Sequence, residues 1–295
     1  MTKPQARELH PDLGAEITGI DLSERLDDDT VRFLREVFDD REVLVFRDAD
    51  IDRAYQYYLV DLLMGHEPPT EEEAAVGAAG QGKFMISNKD PEAAAPSGRL
   101  LYHCDSMWSD EPFEVLSLHA VDVEPPVPPT HWVSATYAWD TLPSDLRERV
   151  EGLNALHVPS PEYIHERRRN AFEGELIHGT RDHLPVMTAP VACRHPRTGR
   201  TMLYVTQGMT REIMELSSEA SEDLLEELFA HLYAPERVYE HEWRKSDLVI
   251  WDNLATHHAR PYVTREGAPR TLNKCGLPMP TNAQKHAIQS YQRVA

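Results

Sequence analysis

The tripeptide His103-Cys104-Asp105, inside YHCDSMW (102–108), sets a histidine and a carboxylate one residue apart. Alternate residues of a strand share a face, so an H-x-D pair can offer two ligands to one metal ion. A mononuclear non-haem iron site needs two histidines and one carboxylate, with the remaining positions open for chemistry. The triplet alone is a weak signal. With 15 His and 50 Asp plus Glu in 295 residues, chance supplies about as many His-x-Asp/Glu triplets as occur, and a second one is His10-Pro11-Asp12. A third ligand is on offer in WDNLATHHARPY (251–262), where His257 and His258 follow the apolar run LVIW. Residue chemistry leaves the choice between these two open. The ordinary alternative is a loop in which one histidine is exposed and the other caps. Arg270 comes 12 residues after His258, and Lys274 follows four later on the same side of an expected strand. An arginine beside such an iron can grip a dicarboxylate cosubstrate in a bidentate pair. The hydroxyl of Thr130, in PPTHWVS, could complete that pocket; the ordinary fate of a lone strand arginine is exposure.

The elements that must gather these residues are short strands and a few helices. LGAEITGIDL (13–22) reads as a strand, a glycine turn and a second strand, and REVLVFRD (41–48) as a buried strand. DDDTVRFLREVFDD (27–40) places Val31, Leu34, Val37 and Phe38 on one helical face behind acidic and threonine caps, and 52–64 repeats the pattern. VLSLHAVDVE (115–124), TMLYVTQG (201–208), DLVIWDN (247–253) and RTLNKCGL (270–277) are strand-like, whereas 136–153 is helical on either side of a proline turn. SSEASEDLLEELFAHLY (217–233) is the clearest helix. Residues 65–99 read as loop flanking one strand, FMIS, and 157–185 as a second polar excursion, both lid-like. The expectation is one domain over 1–295, β-rich α+β, its strands closed as a sandwich or barrel with flanking helices.

Bulk properties narrow the partners. A formal net charge of −20 argues against a nucleic-acid surface, and the one compact basic cluster, HERRRN (165–170), reads as a helix face or loop. No apolar run approaches the roughly 20 residues of a membrane span. The N-terminus lacks the apolar core of a signal peptide. Three dispersed cysteines suggest no disulfide framework. A cytoplasmic enzyme acting on a small molecule, assembled as a dimer or tetramer, is the expectation.

Taken in order, LGAEITGIDL, EVLVFRD, YHCD, T-H-W followed by YAWDTLP, RHPRTGRTMLYV, IWDNLATHHA and R-T-L-N-K resemble the taurine dioxygenase / 2,4-dichlorophenoxyacetate dioxygenase (TauD/TfdA) family of Fe(II)- and 2-oxoglutarate-dependent dioxygenases. The resemblance implies a double-stranded β-helix, or jelly roll. It assigns the metal ligands to His103, Asp105 and His258, in place of His257, and the grip on the far carboxylate of 2-oxoglutarate to Arg270 and Thr130. It further implies consumption of O2, release of succinate and CO2, and hydroxylation of a small anionic substrate. The presence of Asp105 favours hydroxylation, desaturation or cyclisation over halogenation. Two departures stand out: Tyr102 replaces the family's usual tryptophan before the first histidine, and Lys274 replaces an arginine that grips sulfonate in taurine enzymes. Lys274, Tyr102, Arg99 and His66 are the candidate substrate contacts. Cys104 should point into the core, and Trp108, Trp132 and Trp139 should serve as core or pocket wall. A tailoring oxygenase of secondary metabolism, a zinc hydrolase and a silent jelly-roll binding protein are the alternatives.

Overall fold

The computed structural model describes residues 3–82, 84–172 and 186–281. It opens with an antiparallel hairpin of β1 (Gln5–Glu8) and β2 (Ala15–Thr18). The second strand expected after Gly19 does not form, because the partner of β2 precedes it. Gly19, at φ 76°, turns the chain away so tightly that a Cβ would sit 2.6 Å from the Lys3 carbonyl oxygen. Helix α1 (Asp28–Arg41) starts where Asp27 accepts from the Thr30 amide and buries Val31, Leu34 and Phe38. The all-buried β3 (Val43–Phe46) and helix α2 (Arg53–Leu63) follow.

Residues 65–99 depart from the expectation of a loop. Helix α3 (Glu71–Gly80) forms there behind a reciprocal capping box between Thr70 and Glu73. Its apolar stripe is reduced to Ala74 and Ala78 because it packs closely on α2: a Cβ at Gly77 would lie 2.2 Å from the Tyr57 ring. Then come β4 (Met85–Ser87), β5 (Gly98–His103), β6 (Val115–Val123) and β7 (Thr130–Ser134). Helices α4 (Ala135–Asp140) and α5 (Ser144–Val150) flank the expected proline turn.

Strand β8 (Asn154–His157) leads into the second excursion, which begins with a 3-10 turn and α6 (Glu166–Asn170), while 173–185 lie outside the described residues. The basic cluster sits on α6, with Arg168 buried and paired through Nε to Glu222 at 2.8 Å. Strands β9 (Met187–Pro190), β10 (Ala192–Arg194), β11 (Thr201–Leu203) and β12 (Thr210–Ile213) precede helix α7 (Ser218–Leu232). The chain then runs through β13 (Tyr239–His241), β14 (Leu248–Asp252), β15 (Thr256–Val263) and β16 (Arg270–Leu277).

Two sheets carry the site. The larger has the order β1-β2-β3-β14-β6-β16-β4 and the smaller β13-β7-β15-β5. Side chains from both share one core, with Leu118, Val249 and Leu272 of the larger meeting Trp132 and Tyr239 of the smaller. The opposite face of the larger sheet is covered by α1 and α2, through Leu34, Phe38, Leu59 and Leu62. A further core joins α4, α5 and α7 to β8, β11 and β12. The fold is thus a sheet-rich mixture of α and β. No described helix is long and apolar enough to cross a membrane.

Candidate metal centre

Register brings the distant histidines together. In the pairing of β15 with β5, His258 lies opposite His103, and on its other side opposite Trp132 of β7. The pair HH, which could have been a loop, is therefore strand, and its two rings face opposite ways. His103 and His258 have ring centroids 4.1 Å apart, with His258 packed between Trp132 and Trp251. His257 points to the other face, where its Nδ1 meets the Tyr233 hydroxyl at 3.0 Å.

Asp105 follows the end of β5 and is fixed through its backbone. The Asn253 side chain accepts from the Asp105 amide at 2.9 Å and donates to the Asp105 carbonyl at 3.0 Å and the Phe113 carbonyl at 2.7 Å. Cys104 is buried between them, its thiol donating to the Asn253 carbonyl, as a core residue should. One ligand atom each from His103, Asp105 and His258 lies within 4.8 Å of the others, and among the described residues no other such group occurs. His10, the rival triplet, instead contacts the Glu236 carbonyl at 3.0 Å.

The electrostatics suit a cation. His103 bonds through Nδ1 to the Leu101 carbonyl at 2.7 Å, which leaves the Nε2 lone pair facing Asp105 and His258. Burial pushes its imidazole down to about 3, so it stays in the neutral, ligating form. Burial would raise the Asp105 carboxyl, but Lys274, with His258 and His103, more than offsets this and holds it well below the usual range. Lys274 Nζ lies 2.5 Å from Asp105 Oδ2. Two imidazoles and one ionised carboxylate, facing one another in a largely buried cluster, are a donor set that fits a divalent iron.

The same cavity holds the expected cosubstrate residues. Arg270 donates through Nη2 to Thr130 Oγ1 at 2.9 Å and through Nε to the Pro128 carbonyl at 3.1 Å. Burial, with Arg260 nearby, presses its guanidinium below its ordinary value, and no carboxylate pairs with it among the described residues. Arg99 borders the cavity too, its Nε buried and without a partner among the described residues. The wall between is apolar, with Phe84, Ile86, Leu101, Trp108 and Met209.

Two expected contacts are not there. His66 is exposed beyond α2, its Nδ1 3.3 Å from Asp61, because the chain there turns into α3 and away from the cavity. Tyr102 stacks on Tyr233 at 4.0 Å between centroids, on the side opposite His103, since adjacent strand residues point apart. Trp132 is core and Trp108 lines the cavity, as expected, and Trp139 packs, partly buried, against the core of α4, α5 and α7 with Arg147 over its ring. Asn253 and Trp243 escaped the sequence reading. Asn253 stands in the W-D-N run, but its reach to Asp105 spans 148 residues. Nothing local marks Trp243.

Residues 5–275 match the family described as "Taurine catabolism dioxygenase TauD, TfdA family". The chain belongs to this family. Among curated relatives, pentalenolactone F synthase of Streptomyces avermitilis is 29% identical over 262 residues, covering 84% of this chain and 85% of that protein. The alpha-ketoglutarate-dependent 2,4-dichlorophenoxyacetate dioxygenase of Cupriavidus pinatubonensis is 27% identical over 270 residues, covering 87% and 92%. Among solved structures, AAD-2 in complex with Mn(II) and N-oxalylglycine superposes with a TM-score of 0.69 at 23% identity, over 95% of this chain and 98% of that one. This family member is an Fe(II)- and 2-oxoglutarate-dependent dioxygenase, with O2 as a cosubstrate.

Proposed function

We propose that His103, Asp105 and His258 hold the iron, that Arg270 and Thr130 hold the far carboxylate of 2-oxoglutarate, and that the enzyme hydroxylates a small anion with an apolar body. The observation that carries this is the meeting, in one cavity, of three ligand atoms within 4.8 Å and a buried guanidinium that lies beside a hydroxyl and has no carboxylate partner among the described residues. When bound, iron and 2-oxoglutarate together supply O2 activation and oxidation of the substrate, with succinate and CO2 released.

The chain's own residues bind, orient and exclude water. The His103 and His258 rings would ligate the metal and the Asp105 carboxylate would offset part of its charge, a set of three that leaves positions for other ligands. Arg270 gives the cosubstrate a planar, bidentate partner whose cost of burial is recovered only when an anion arrives. Lys274 and Arg99, at the cavity, are the groups to meet a substrate carboxylate, and the apolar wall keeps its body dry. The name of the 2,4-dichlorophenoxyacetate dioxygenase relative, an aryloxy acid enzyme, supports that chemistry. The two facing sheets fit a double-stranded β-helix folded as one domain, and the chain is proposed to assemble as a dimer or tetramer.

Anaerobic titration of the protein with Fe(II) and 2-oxoglutarate tests the assignment. A weak visible charge-transfer band should develop in the wild type and be lost in His258→Ala. An unchanged band in that variant would sink the ligand set.

A further inference from the structure

We propose that Trp243 is a positioning residue for the cosubstrate, fixing the Thr130 hydroxyl as a donor aimed at the far carboxylate. The inference rests on the assignment of Arg270 and Thr130 to 2-oxoglutarate. A threonine hydroxyl has one proton and two lone pairs. Both lone pairs are occupied here: Trp243 Nε1 donates to Thr130 Oγ1 at 3.0 Å, and Arg270 Nη2 donates to it at 2.9 Å. An indole N–H and a guanidinium can only donate, so neither bond can reverse. The hydroxyl proton is left to be given elsewhere, and among the described residues no acceptor takes it. Thr130 is buried and lines the cavity, so the acceptor it wants is an oxygen arriving there.

Trp243 is itself held from behind. Its ring lies edge to face with His241 at 4.6 Å, and His241 Nε2 lies 3.2 Å from the buried carboxylate of Asp247. The Arg270 guanidinium carbon stands 5.8 Å from the indole centroid, so one side chain braces both members of the carboxylate grip. A hydroxyl that can only donate, next to a cation, selects an acceptor-only group. A carboxylate qualifies, and a neutral amide of the same shape leaves its own N–H groups unmet.

The test compares Trp243→Phe, which keeps a ring but loses the N–H, with the wild type, both loaded with Mn(II) under anaerobic conditions. Calorimetry measures affinity for 2-oxoglutarate and for pyruvate, which shares the chelating head but has no far carboxylate. The 2-oxoglutarate affinity should fall about fivefold, the worth of one hydrogen bond, with pyruvate and Mn(II) binding unchanged. On a Thr130→Val background the same substitution should have no further effect on 2-oxoglutarate. Equal losses for both ligands would make Trp243 merely structural and overturn the proposal. So would an unchanged 2-oxoglutarate affinity in Trp243→Phe when Arg270→Gln weakens it. Should Arg270→Gln and Thr130→Val weaken 2-oxoglutarate no more than pyruvate, the underlying pocket assignment falls as well.

Discussion

Replacing Asn253 by alanine should loosen the metal site while leaving every proposed ligand in place. The Asn253 side chain makes three hydrogen bonds, to the Asp105 amide, the Asp105 carbonyl and the Phe113 carbonyl, and the residue is fully buried. Each such bond is worth about 1 kcal/mol net, and more where a buried partner is left unmet, so the loss is about 2–4 kcal/mol of stability. The peptide it releases is the one that aims Asp105, and lost support of this kind costs roughly 10- to 100-fold in metal affinity. Urea unfolding of the metal-free protein and calorimetric titration with Mn(II) read the two effects separately. Asn253→Asp should be worse than alanine, because it turns the amide that donates to two carbonyls into an acceptor facing them. An alanine variant within about 0.5 kcal/mol of the wild type, with unchanged Mn(II) affinity, would refute the reasoning.

Two further outcomes follow from the charges. Lys274→Met removes a cation 2.5 Å from a ligand carboxylate oxygen, so Mn(II) should bind roughly tenfold tighter while anionic substrates raise their KM, a split that titration and steady-state rates reveal. Burial lifts the Glu42 carboxyl to about 7 against an ordinary 4.5, and its Oε2 has no hydrogen-bond partner among the described residues. A folded value above the unfolded one means this contribution to stability is complete below the unfolded value and is lost as pH rises through about 7. Glu42→Gln should therefore gain about 3 kcal/mol on the wild type between about pH 5 and about pH 8, and a pH-independent difference in urea unfolding would contradict this.

Much of the site was legible because strand chemistry is local. H-x-D puts two ligands on one face, and the spacing from W-D-N to His258 and on to Arg270 follows the strands β15 and β16. The same alternation that sends Cys104 into the core also turns Tyr102 away from the cavity, and the sequence expectation of a substrate contact there overlooked it. Helix α3 was hidden because a helix packed through alanine and Gly77 shows no apolar stripe. Asn253 and Trp243 were beyond sequence reasoning for another cause. Their meaning lies in partners 148 and 113 residues away, which only the folded sheets bring near.

The two polar contacts across the cavity have a mechanical consequence. Arg270 and Lys274 stand on β16 of the larger sheet, while Thr130 is on β7 of the smaller and Asp105 follows its β5. Each contact is therefore a strut across the gap between layers, one at the anion grip and one at the metal. Cavity-wall residues such as Ile86 or Leu101 can change size and reshape the substrate space with both struts intact. A change in the spacing of the layers, by contrast, would detune both ends together, so drift in substrate preference is cheap here and drift in core thickness is not.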